Sequence, residues 1–74
     1  MNKLLTLAIA HIKGTSGLTH AMFTQPFDKA LKDSSLADKR QLISVLSKTL
    51  KDSQDIDTIR TASAVRDMTL RALR

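Results

Sequence analysis

His11 and His20 are the only side chains of this 74-residue chain whose reference pKa lies near neutrality, so acid–base chemistry at physiological pH would have to start from them. A catalytic centre also needs an activated nucleophile or a positioned acid, and the chain has no Cys, Tyr or Glu for either role. A Ser/His/Asp set can be assembled on paper around His20, yet no serine stands in a Gly-x-Ser-x-Gly elbow. These residues point away from an enzyme and from a small-molecule substrate, with both histidines in solvent or at the edge of a core.

Metal and cofactor chemistry is equally thinly supplied. Two histidines nine residues apart, without Cys or Glu, do not form a recognisable zinc ligand pattern. Asp52, Asp55 and Asp57 invite a calcium loop, but one starting at Asp55 would put Arg60 where the tight-turn glycine belongs. It would also put Arg66 at the position of the bidentate acid. The three aspartates are better read as helix caps and first-turn anions. Gly14-Thr15-Ser16-Gly17 could present backbone N–H groups to a phosphate, yet no strand precedes it and no Gly-Lys-Ser/Thr follows. A turn between helices is expected there, and no cofactor is.

Nucleic acid is a serious candidate partner because twelve Lys and Arg face seven Asp, a formal net charge of +5. The charge is spread along the chain, however, and no segment forms a basic arm. A helix-turn-helix can be drawn with residues 18–25 as the reading helix, but that stretch carries no Lys or Arg for guanine edges or phosphates. A basic stripe appears instead near the C-terminus, where Arg60, Arg71 and Arg74 fall on one helical face with Asp67 between them.

Met1-Asn2-Lys3, Ile9-Ala10, Gly17-Leu18-Thr19 and Phe27-Asp28-Lys29-Ala30-Leu31 together resemble the opening helices of the bacterial histone-like HU family. The resemblance covers under half of the chain. Glycine-rich strands and basic β-arms, which follow in that family, have no counterpart in residues 41–74, so the family's function is not carried over.

The elements that would position these groups are helical throughout. Apolar residues recur at spacings of three and four, and nowhere alternate with polar ones for the length of a strand. Leu4, Leu5, Ala8, Ile9 and Ile12 make one stripe, predicting a helix over 2–13 that the Gly14 to Gly17 turn ends. The apolar opening is too short, and too soon interrupted by His11 and Lys13, to be expected to span a membrane or serve as a secretion signal. Lys3 and Lys13 are its only cations, which gives it little hold on an anionic membrane surface.

Pro26 predicts a break, with one short helix over 18–24 and another over 26–33 that has Pro26 as its first residue. Phe27, Ala30 and Leu31 then point inward. Ser35-Leu36-Ala37-Asp38 is a capping-box variant that starts a helix over 36–51, with Leu36, Leu42, Ile43, Leu46 and Leu50 on one face. Asp55 caps a last helix over 55–73. The whole reads as one all-α domain, 1–74, a compact bundle of four to five short helices.

That last helix carries two partly apolar seams. Ile56, Ile59, Ser63, Arg66, Leu70 and Leu73 follow heptad spacing, and Ala62, Val65, Thr69 and Ala72 follow an offset one. A short bundle covers one side of a terminal helix, so the expectation is that Ile56, Ile59, Arg66, Leu70 and Leu73 meet a protein partner or a second copy of the chain. If the helix is rotated, the Ala62 seam is inside and Arg66 stands at the rim. The chain is therefore expected to be a small cytoplasmic regulatory or adaptor protein, a homo-oligomer by preference. A basic DNA- or RNA-binding regulator using Arg60, Arg71 and Arg74 is the alternative. In size and charge it resembles many small phage or mobile-element regulators.

Overall fold

Four helices occur among the described residues in the computed structural model: α1 (Lys3–Ile12), α2 (His20–Asp33), α3 (Leu36–Asp52) and α4 (Ile56–Ala72). The structure describes all residues except Met1, Thr15, Ser16 and Arg74. The Cα radius of gyration is 11.2 Å, close to the roughly 11 Å of a compact chain of this length. No strand occurs among the described residues, so the part of the chain that would have to supply the strands and arms of a histone-like protein is helical.

Local chemistry sets the helix starts. The Asn2 side-chain oxygen accepts from the Leu5 amide at 3.2 Å, and its amide nitrogen donates to the Asp38 carbonyl and to Gln41 Oε1, tying the start of α1 to α3. Thr19 Oγ1 accepts from the Met22 amide, and Ser35 Oγ from the Asp38 amide, each at 3.2 Å. Asp55 occupies the cap position of α4 with an extended backbone, but its carboxylate accepts from the Thr58 hydroxyl at 2.9 Å and bonds no helix amide. Gly14 and Gly17 bracket the turn after α1 with φ of 74° and 72°, a region that penalises any residue with a Cβ. Thr15 and Ser16 of that turn lie outside the described residues.

The expected break at Pro26 does not occur. Residues 20–33 form one helix with Pro26 as its seventh residue. Two features outweigh the local preference against interior proline. Pro26 is exposed, so the Met22 carbonyl that loses its amide donor can be hydrated. On either side of it, Phe23 and Phe27 are both fully buried and stack on each other with centroids 4.8 Å apart, which holds the two halves in line.

Leu4 and Ala8 of α1, Phe23, Phe27 and Leu31 of α2, Leu42 and Leu46 of α3, and Ala62 and Val65 of α4 form the core. Thr69 is buried with them, its hydroxyl satisfied by the Val65 carbonyl at 2.9 Å. Leu36 departs from the expected α3 face. As the first residue of its helix it stands outside the packed layer, 53% exposed. Ala21 and Met22 are also in solvent.

Candidate functional site

The rotation of α4 decides what that helix can offer. Its fully buried side is Ala62, Val65 and Thr69, the offset seam, although Ala72 at the end of that seam is exposed. At about 100° per residue, Ile59, Arg66, Leu70 and Leu73 fall within an arc of about 60° on the adjoining side. All four are half-buried there, and Ile56 at the start of the helix is 66% exposed. The heptad residues thus share one side of α4, at the rim of the bundle.

Arg66 is the anomalous member. Its Nε is buried and, among the described residues, has no hydrogen-bond acceptor. A buried donor left unsatisfied costs on the order of 1–3 kcal/mol, and α4 has no acid on this arc. Arg60 and Arg71 are exposed on another side of the helix, eleven residues and about three turns apart, hence nearly in line. Arg74, the third residue of the expected stripe, lies outside the described residues.

Arg71 also belongs to a concavity that no single helix predicts. A groove of about 530 Å³ runs between α2 and α4 and reaches the start of α3. Leu31, Met68 and Ala72 give it an apolar floor, and Lys32, Lys39 and Arg71 stand around it. Among the described residues Asp28 is the only acid there. It pairs with Lys32 at 3.4 Å, but both side chains are largely in water, so the pair contributes little. The groove keeps a formal excess of two positive charges. Two smaller grooves differ in this respect: Lys3 and Lys29 are balanced by Asp33 and Asp38 in one, and Lys48 by Asp52 in the other. Sequence periodicity did not single out Lys32, Lys39 or Met68, because they come from three helices and meet only in the fold.

At the opposite end of α2 the two histidines come together. His11 Nε2 and His20 Nδ1 are 3.2 Å apart, in hydrogen-bond contact. The His11 ring also stacks on Phe23, whose other neighbour in the stack is Phe27. Burial lowers the pKa of His11, and the nearby His20 lowers it further. Among the described residues, no cluster of three or more His, Cys, Asp or Glu could hold a metal ion, and no helix is long and apolar enough to cross a membrane.

Comparison with family models, with curated proteins and with solved structures finds no match for the chain.

Proposed function

We propose that this chain is a small non-enzymatic adaptor that works by protein–protein contact, and that the groove between α2, α3 and α4 receives an acidic amphipathic helix of a partner protein. The observation that carries this reading is the pairing of an apolar floor, Leu31, Met68 and Ala72, with the cations Lys32, Lys39 and Arg71. An amphipathic helix lays its apolar stripe on such a floor, and carboxylates flanking the stripe meet the surrounding cations. The net charge of +5 adds long-range attraction toward an acidic partner and raises the association rate.

Fluorescence anisotropy with a labelled synthetic helical peptide, Leu at every third or fourth position and Glu between, tests the proposal. Saturable binding that Lys39→Glu and Arg71→Glu each abolish is the expected result. Binding left intact by both variants, or absent from the unsubstituted chain, overturns it. Light scattering of the same samples without peptide identifies a second copy: a doubled mass that Leu70→Asp halves would assign the contact to Ile56, Ile59, Arg66, Leu70 and Leu73 instead.

One observation favours nucleic acid as a second reading, the alignment of exposed Arg60 and Arg71 along α4. It explains the charge but leaves the apolar floor of the groove without a role.

A further inference from the structure

We propose that His11 and His20 together chelate one divalent late-transition-metal ion, such as Zn²⁺, at the corner where α1 passes into α2. His11 lies in the last turn of α1, and His20 is the first residue of α2. The fold therefore brings to one point two nitrogen donors that the sequence leaves nine residues apart. Neutral imidazole is a preferred donor for zinc, copper and nickel.

The distance fits. Two nitrogens each about 2.0–2.1 Å from a tetrahedral Zn²⁺ stand about 3.3–3.4 Å from each other. His11 Nε2 and His20 Nδ1 are 3.2 Å apart, so a few tenths of an ångström admit the ion. The donor on α1 is also held in place. Its ring lies 4° from parallel with Phe23 at a centroid distance of 4.0 Å, and Phe23 is fully buried against Phe27. His20 is exposed, and its ring stacks on His11 at 5.4 Å between centroids and 27° between planes, so it is the His20 ring that must turn to aim both lone pairs at one point.

In the metal-free pair one imidazole donates its N–H to the other. Chelation requires both facing nitrogens to offer lone pairs, so the donor ring carries its proton on its other nitrogen instead. Above the histidine pKa range this is a change of tautomer with no net proton lost. Two protein ligands leave the remaining coordination positions to water or to a donor from outside the chain, because no third His, Cys, Asp or Glu completes a cluster among the described residues.

Calorimetric titration of the purified chain with ZnCl₂ at pH 7.5, in a buffer that does not bind metal, tests the site. Absorption of Co²⁺ in the visible range reports the ligand set in parallel. The expected result is one ion per chain, a rise in Tm on adding zinc, and loss of both in His20→Gln and in His11→Phe. The first variant changes an exposed side chain, and the second keeps a ring on Phe23, so circular dichroism should show both folded. No heat of binding in the unsubstituted chain, equal binding in His20→Gln, or one ion for every two chains would each overturn the chelate.

Discussion

The imidazole of His11 lies face to face with the ring of Phe23, 4.0 Å between centroids, and its far edge meets His20. Burial at this contact makes His11 one source of acid sensitivity in the fold. Burial first, and the neighbouring His20 second, push the His11 pKa below its usual 6.5. The folded state therefore resists taking a proton that the unfolded chain accepts more readily. Stability contributed by neutral His11 is complete above about pH 6.5 and is lost as pH falls from there through the lower folded pKa. Melting temperature measured from pH 7.5 to pH 5 should decline, and His11→Phe, which keeps a ring on Phe23, should flatten that decline. An unchanged acid limb in His11→Phe would remove His11 from this role.

Pro26 gives the sharpest test of the fold itself. A proline in the interior of a helix is about 3 kcal/mol less favourable than alanine, whereas a proline at the first helical position is well suited to it. Because Pro26 is the seventh residue of α2, Pro26→Ala is expected to stabilise the protein by about 1–3 kcal/mol in urea unfolding, after the smaller entropy that proline removes from the unfolded chain is discounted. Two separate short helices would give no gain.

The Ser35 cap and the helical period are legible in the sequence because each depends on residues within four positions of one another, whereas Asp55, read as a cap in the same way, bonds no helix amide. The Ser35 hydroxyl accepts from the Asp38 amide as its half of the capping box predicts, and Gly14 and Gly17 each adopt the left-handed backbone that glycine takes readily. The break that Pro26 predicts is absent because its local penalty is overridden by Phe23 and Phe27, whose burial depends on the other helices. The candidate site was less legible for the same reason. Arg71 stood out as part of a stripe on one helix, while Lys32 and Lys39, its companions at the groove, are an ordinary solvated lysine pattern until α2, α3 and α4 are packed together. His11 and His20 looked unrelated because nothing local shows that α1 and α2 fold back across the turn between them.

Arg66 should be worth more to the protein's contacts than to its stability. Its buried Nε has no acceptor among the described residues, so replacing Arg66 with methionine, which keeps an unbranched stem of similar length, removes an unsatisfied donor. Arg66→Met is expected to leave stability unchanged or to raise it by about 1 kcal/mol, because it removes a buried donor without an acceptor while Arg66 itself is only half-buried. A loss of stability in urea unfolding would show that the guanidinium finds an acceptor in solution.

Charge reversals can separate the protein-docking groove from the nucleic-acid stripe, because the two surfaces share one residue and differ in the others. Lys39 belongs to the groove alone, Arg60 lies outside the groove on the stripe, and Arg71 stands in both. If the groove is the working surface, Lys39→Glu and Arg71→Glu should weaken an acidic helical peptide strongly while Arg60→Glu leaves it nearly unchanged. If the stripe binds nucleic acid, Arg60→Ala and Arg71→Ala should each lower the salt slope of duplex binding by about one, and Lys39→Ala should not. Anisotropy titrations of both probes over a range of salt distinguish these patterns. Loss of peptide binding in Arg60→Glu equal to that in Lys39→Glu would mean that overall charge, and not the groove between α2, α3 and α4, governs the contact.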